Sequence, residues 1–218
     1  MAEVNLLGAY PRARRDYDKR ARGRTAEDVR LAKEFGREFF DGPRGRGYGG
    51  YRYDGRWKEV AKRMRDYYRL EETAAVLDVG CAKGFMLYDF RELMPNAVIA
   101  GIDISRYGIE HAMEGVKPFL REGDAKELPY ADGSFDLVIS INTIHNLPEG
   151  DCRRALREIQ RVTRKHAFIT VDSWRTEAER ERLMKWNLTA LTYMHVEDWK
   201  KLFAEVGYTG DYHWFIAE

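Results

Sequence analysis

The sequence predicts an α/β fold: a doubly wound, mostly parallel sheet with helices on both faces, preceded by a helical cap. Three observations predict it. From Ala75 onward, short apolar runs alternate with amphipathic helical stretches, the pattern of parallel strands joined by crossover helices. The first run, Val76 to Val79, enters a turn of small residues, Gly80-Cys81-Ala82-Lys83-Gly84, before a helix begins near Phe85. The second run ends on an acid, Asp103, 23 positions after Gly80.

The chain has 218 residues, 44% of them hydrophobic, enough for one core and only a weak case for a second. We divide it into an N-terminal arm and cap, 1–56, and a main domain, 57–218. Residues 11–24 (PRARRDYDKRARGR) hold seven basic and two acidic side chains, which reads as an exposed arm or a solvated face. Thr25 and Asp28 form a capping-box start, and Val29, Ala32, Phe35 and Phe39 recur at helical spacing to about Phe40. The following loop, 41–55, interleaves glycines with Tyr48, Tyr51 and Tyr53, which permits tight turns and close approach of backbone to a ligand. A helix starts at Trp57 with Val60, Ala61, Met64 and Tyr68 on one face.

Strands are expected at Val76–Val79, Ala97–Asp103, near Phe119–Arg121, at Phe135–Ile141 and at Ala167–Val171, with a last one near Tyr212–Ile216. Between them, Cys152, Ala155, Leu156, Ile159 and Val162 make one helical stripe, and Val196, Trp199, Leu202, Phe203 and Val206 another. These stripes are core. The segment 173–195 is an insertion, and from its position Trp174, Arg175, Trp186, Asn187, Tyr193 and His195 are candidates for the wall of an acceptor site.

In open α/β sheets, ligands bind beyond the carboxyl ends of the strands where the strand order reverses, so the glycine turn and Asp103 belong to one site. Gly80 and Gly84 let backbone pass close to a ligand, and the helix N-terminus offers unpaired N–H groups. A dinucleotide fingerprint needs a small residue at the sixth position from Gly80, where bulky Phe85 stands. Small residues fall instead at the first, third and fifth positions, Gly80, Ala82 and Gly84. A carboxylate at the tip of the second strand can accept two ribose hydroxyls, while the plainer reading has Asp103 cap the next helix.

The small-residue spacing resembles motif I of the class I S-adenosylmethionine-dependent methyltransferases, which have a Rossmann-like sheet. Gly123-Asp124-Ala125 with Leu128-Pro129-Tyr130, and the helix Leu156-Arg157-Glu158-Ile159-Gln160-Arg161-Val162, resemble the family's later segments. Together the matches run from about residue 75 to 172, within the small-molecule branch. GYGGYRYDGRW and WNLTALTYMHVEDW look like a narrower bacterial subgroup. The resemblance implies S-adenosylmethionine as cofactor and S-adenosylhomocysteine as product. It puts Asp78, Gly80, Cys81, Ala82 and Gly84 at the cofactor turn, Asp103 and Ile104 at the ribose and beyond it, and Asp124 and Ala125 at the adenine. Asn142 is expected to line the pocket; from their residue types, Tyr48, Tyr51, Tyr53, Arg56 and Trp57 are candidates to close over the cofactor, aromatic faces against the sulfonium and Arg56 paired to the carboxylate, the alternative being a packed hinge before the helix. Two departures stand out: Ala82 replaces the usual central glycine, and Arg164-Lys165-His166 stands where relatives often have Pro-Gly-Gly.

Attack on a sulfonium methyl rests on alignment and exclusion of water, and a base helps mainly when the acceptor is a hydroxyl. His145, just past the fourth strand, is the candidate base; the alternative is that it orients a loop. An Asn/Asp-Pro-Pro-aromatic segment, usual for nucleic-acid amino methylation, is replaced by Asn142-Thr143-Ile144-His145, so a nucleic-acid acceptor is disfavoured. Lys and Arg total 37 against 36 Asp and Glu, which gives no global field toward a polyanion. The expected partner is a small-molecule acceptor taking the methyl on O or N, such as a sugar or a secondary metabolite. A protein or RNA target docked by the basic arm, and a non-catalytic cofactor-binding protein, are the alternatives. Cys81 and Cys152 have no ligand spacing, so no structural metal is expected. No signal peptide or long apolar run is present, and a cytoplasmic protein without membrane contact is expected.

Overall fold

The computed structural model describes residues 1–11 and 16–217. Seven strands form one sheet: β1 (Ala75–Val79), β2 (Val98–Asp103), β3 (Leu120–Glu122), β4 (Phe135–Ile141), β5 (Thr163–Trp174), β6 (Met194–His195) and β7 (Asp211–Phe215). Their order is β3-β2-β1-β4-β5, and β7 takes the far edge of β5 along Phe168–Asp172, with β6 continuing that edge at Ser173 and Trp174. Every pairing among these strands is parallel. β1 lies between β2 and β4, so the order reverses there, and the carboxyl ends of β1 and β4 are the place where such sheets bind ligands. The doubly wound fold read from the sequence is the fold observed.

Helices α1 (Tyr17–Arg22), α2 (Ala26–Lys33), α3 (Arg37–Phe40) and α4 (Lys58–Tyr68) precede the sheet. Helices α5 (Phe85–Leu93), α6 (Arg106–Glu110), α7 (Glu149–Val162), α8 (Glu177–Trp186) and α9 (Val196–Val206) alternate with its strands. One core face packs α7 and α9 against the sheet, and the stripe Cys152, Ala155, Leu156, Ile159 and Val162 is wholly buried in it. The opposite face packs Val60, Ala61 and Met64 of α4 and Met86, Leu87 and Phe90 of α5 against Val76, Leu137, Ile139 and Phe168. Fully burying an apolar side chain of this size removes about 1.5–3 kcal/mol of unfavourable hydration, so the two layers are fixed by their stripes. Among the described residues, no helix is long and apolar enough to cross a membrane.

Two expectations for the cap are corrected. A single helix from Thr25 to Phe40 does not form. The Thr25–Asp28 capping box starts α2, but the chain breaks at Phe35, which lies in the left-handed region at φ +49°, and restarts as α3 after Gly36. The Phe35 carbonyl accepts from the Ser105 hydroxyl at the start of α6, so tertiary contact overrides the helical period. The basic arm is also not a free solvated segment over its described part. Arg20 donates Nε to the Trp186 carbonyl at 3.0 Å and lies 4.2 Å over the indole. Arg24 reaches the carbonyls of Asn187 and Met184, and Lys185 pairs with Asp18 at 2.7 Å. The last carbonyls of a helix have no intrahelical partner, and these arginines supply one for α8. Arg12, Arg14 and Arg15 of the same arm lie outside the described residues.

Candidate functional site

The turn from β1 into α5 is held against β2: the Gly80 and Cys81 amides both donate to the Ile102 carbonyl, at 2.7 and 3.1 Å. Gly80 has φ +88°, and a Cβ there would lie 2.0 Å from Thr143 Oγ1. Only glycine fits, which brings the β4 end, with Asn142 and His145, against the turn. Ala82 also adopts a left-handed φ, +51°, at about 1–2 kcal/mol of strain for a residue with a Cβ. Its methyl packs in a small cluster with Phe40, Tyr51 and Phe85, and its amide donates to Asp103 Oδ2 at 2.7 Å. The departure from glycine therefore joins the cap to the turn. Gly84, at φ +74°, opens α5.

Asp103 accepts from Ala82 N and, at 2.8 Å, from Ser105 N. Ser105 rather than Asp103 caps α6, through its hydroxyl and the Gly108 amide. Burial raises the Asp103 carboxyl above its ordinary range and those two amides oppose the rise. Asp78 is 5% exposed and has no hydrogen-bond partner among the described residues, and burial, with the charge of Asp103, pushes it up to about 8. No cation enters the balance of either acid. A buried acid without a partner is costly unless a ligand supplies one, and a cationic, hydroxyl-bearing ligand suits this pair. The partnerless Asp78 and the closely passed Gly80 fit the cofactor that the sequence implies.

The glycine-rich loop lies over these acids. Tyr51 stacks 4.7 Å from Phe85, Tyr48 lies 4.2 Å from Tyr51, and Tyr10 lies 4.6 Å from Trp57. Burial, before any neighbouring charge, raises the phenol of Tyr51, and Asp78 adds to it, whereas Tyr48 stays 40% exposed at the outer side of the loop. Tyr53 is turned away from the acids: its hydroxyl donates to Asp89 on α5, and its ring meets Phe85 and Tyr88 edge-on. Arg56 is bound by Asp54 through Nε at 2.8 Å and reaches the Tyr10 hydroxyl at 3.2 Å. A carboxylate ligand must compete with Asp54 for it.

At the β4 end, Asn142 has φ +51° and its Oδ1 accepts from Thr170 at 2.8 Å. His145 is 3% exposed, and its Nδ1 accepts from the Asp172 amide at 2.9 Å. An Nδ1 that accepts leaves the proton of the neutral ring on Nε2, so neither nitrogen is free to take another. Burial lowers the His145 pKa further, only partly offset by the Asp172 carboxylate. The His145 carbonyl receives the Leu191 and Thr192 amides, each at 2.9 Å. This geometry is that of a loop anchor and opposes the reading as a base. Ile104 is 57% exposed at the tip of β2; Asp124 is held by Lys126, at 3.0 Å to the amide and 3.3 Å to Nζ, and Ala125 packs on the core edge.

The insertion splits in two. Trp186 and Asn187 meet α1, whereas Trp174, Tyr193 and His195 line a cleft of about 430 Å³ between α7 and α9 that includes none of the turn residues. Sequence reasoning missed Lys83, which is 6% exposed and donates to Asp41 Oδ2 at 2.7 Å and to the Tyr51 carbonyl at 3.1 Å. The one available signal was a long cation inside a turn of small residues.

Residues 70–214 match a family model described as a methyltransferase domain. The chain is 32% identical, over 66% of its length, to the tRNA (carboxymethyluridine(34)-5-O)-methyltransferase of Arabidopsis thaliana, of which it covers 34%. It is 28% identical, over 65% of its length, to the malonyl-[acyl-carrier protein] O-methyltransferase of Legionella pneumophila, of which it covers 51%. The chain thus spans about a third to a half of these two relatives. The crystal structure of the YcgJ protein from Bacillus subtilis superposes with a TM-score of 0.54 at 20% identity, covering 67% of this chain and 66% of that one, a likeness of fold.

Proposed function

The chain belongs to the methyltransferase domain family, and from that premise we propose that it is an S-adenosylmethionine-dependent methyltransferase that methylates an O or N atom of a small molecule, a sugar or a secondary metabolite among the candidates. The observation that carries the reading is the pair of buried acids under the glycine turn, Asp78 without a partner and Asp103 satisfied only by two backbone amides. When bound, the cofactor supplies a methyl group already activated by a sulfonium. Asp103 retains acceptor capacity for ribose hydroxyls, with Ile104, Asp124 and Ala125 around the base. Asp78 faces the cationic end, and Gly80, Cys81, Ala82 and Gly84 give the backbone its close approach. Tyr48, Tyr51 and Trp57 exclude water, and Asn142 and His145 fix the β4 end where the acceptor enters. Alignment of this kind is worth roughly 7–11 kcal/mol, more than the about 10²- to 10⁴-fold of a general base. We read residues 1–56 as the arm and cap of the domain 57–218.

Support for a small acceptor comes from the basic arm: α1 is docked on α8, and Arg20 and Arg24 are spent on the carbonyls of Trp186, Asn187 and Met184. The relative from Arabidopsis acts on tRNA, which keeps a macromolecular acceptor as the second reading. The test is calorimetric titration with S-adenosylmethionine and S-adenosylhomocysteine beside Asp103→Ala. Micromolar binding that the variant loses is expected, and absence of binding to the unaltered protein refutes the reading. Acceptors are then screened by S-adenosylhomocysteine release. A turnover whose KM rises steeply with salt favours the macromolecular reading.

A further inference from the structure

Lys83 sits where a lysine is least expected. It lies at the N-terminal end of α5, whose helix dipole disfavours a cation, and it is 6% exposed. Its charge does not neutralise Asp78 or Asp103, one turn away, because neither acid is lowered by it. It points instead into the cap, where Asp41 at the end of α3 is the hub of three donors. Asp41 accepts from Lys83 Nζ at 2.7 Å, from the Tyr107 hydroxyl at 2.8 Å and from the Tyr51 amide at 3.1 Å. Lys83 also donates to the Tyr51 carbonyl, and its ammonium lies 5.9 and 5.7 Å from the ring centroids of Phe40 and Tyr107. Both backbone polar groups of Tyr51 are thereby pinned, and its ring is the one stacked on Phe85 over the acids.

We propose that Lys83 is a positioning residue: through Asp41 it clamps the glycine-rich loop onto the cofactor turn and so holds the aromatic lid closed over a bound cofactor. The proposal rests on the methyltransferase reading for its ligand and on the Lys83–Asp41–Tyr51 geometry for its mechanics. Charge-assisted hydrogen bonds are the strong ones; here the lysine end is buried and the Asp41 carboxylate a quarter exposed, and three elements far apart in sequence converge on it. With the clamp in place, the cofactor leaves only when residues 41–55 lift away from the turn. Without it, the loop keeps its aromatic contacts and the bond from the Tyr51 amide to the Phe40 carbonyl at 2.9 Å, but loses the bonds from Tyr51 to Asp41 and Lys83, so release quickens while the acids and the turn remain intact.

Three variants test this in the full chain: Lys83→Met, Asp41→Asn and the double substitution, with Tyr107→Phe as a milder probe that removes one bond and keeps the ion pair. Hydrogen exchange of the free protein is read over residues 41–55. The dissociation rate of S-adenosylhomocysteine is read by displacement. The expected result is about tenfold or greater faster exchange confined to that segment and about tenfold faster dissociation in each single variant, no further change in the double, and a few-fold effect in Tyr107→Phe. Unchanged exchange and dissociation in Lys83→Met, or additive effects in the double variant, overturn the clamp. If the unaltered protein binds neither ligand, the methyltransferase reading fails while the exchange measurement still decides the clamp. If Lys83→Met does not fold, Tyr107→Phe decides: exchange and dissociation equal to those of the unaltered protein refute the proposal.

Discussion

The raised pKa of Asp78 makes cofactor affinity a function of pH. With a carboxyl pushed up to about 8, only about 1% of the free protein carries the Asp78 anion at pH 6 and about 10% at pH 7. A sulfonium and an ammonium favour that anion, so binding drives its ionisation and expels one proton. If only the ionised form binds, the apparent Kd at pH 6 is about 100-fold weaker than its limit above pH 8, and about tenfold weaker at pH 7. Calorimetry between pH 6 and 8.5 in two buffers of different ionisation enthalpy reads both quantities, the slope in Kd and the count of protons released. Asp78→Asn removes the titration, so its affinity is low and flat. In the free protein the sign is opposite. The folded state holds its proton to a higher pH than the unfolded chain, whose aspartate titrates near 3.9, so stability falls as pH rises from about 4 to about 8. A Kd that stays level from pH 6 to 8.5, with an enthalpy independent of buffer, refutes the argument, because it means that the anion is already present in the free site.

Two further substitutions probe the scaffold of the site. Gly80→Ala forces a Cβ to 2.0 Å from Thr143 Oγ1 at a φ of +88°, so thermal unfolding should show a loss of about 1–3 kcal/mol together with weakened binding; an unshifted Tm contradicts the close packing of the turn against β4. His145→Leu orphans the Asp172 amide, and denaturant unfolding should register about 1–3 kcal/mol of lost stability, with kcat lowered by less than the roughly 100-fold that removal of a general base costs; a larger fall in kcat at unchanged stability returns His145 to the role of base.

What was legible in the sequence was whatever rests on neighbours along the chain. The strands of the sheet are apolar runs bounded by turn residues, and the α7 stripe carries its own period, so both were placed to within a few residues. β6 is two residues long and offers no period to find. The break at Phe35 was invisible because Val29, Ala32, Phe35 and Phe39 keep a helical spacing across it, and the cause of the break, Ser105, is 70 positions away. The arginines of the arm looked solvated for the same reason: the carbonyl that Arg20 satisfies lies 166 positions on. At the site, the turn and the acids were readable because one strand–turn–helix unit and the next strand end carry them. The lid was not. Tyr51 and Tyr53 are two positions apart and alike in composition, yet one covers the acids and the other is tied to Asp89. Which way a loop side chain turns is decided by its tertiary partner, and Lys83 with Asp41, 42 positions apart, is the partner that matters here.

Residues 2–4 run along the outer edge of β7, where the Val4 amide donates to the Tyr212 carbonyl at 2.8 Å and the Tyr212 amide to the Ala2 carbonyl at 3.0 Å. The Ala2 amide also donates to the Asp211 carboxylate, 209 positions away. Closing so long a loop is entropically late, since ordering distant segments precedes the contacts that reward it. β7 must first find β5, and only then can the opening residues dock on it. During synthesis residues 2–4 wait until residues 211–215 have been made, and until they dock the unpaired amides and carbonyls of β7 form a template that another molecule's strand can fill. Refolding yield should therefore fall with protein concentration, and the step that protects it is the docking of residues 2–4 on β7.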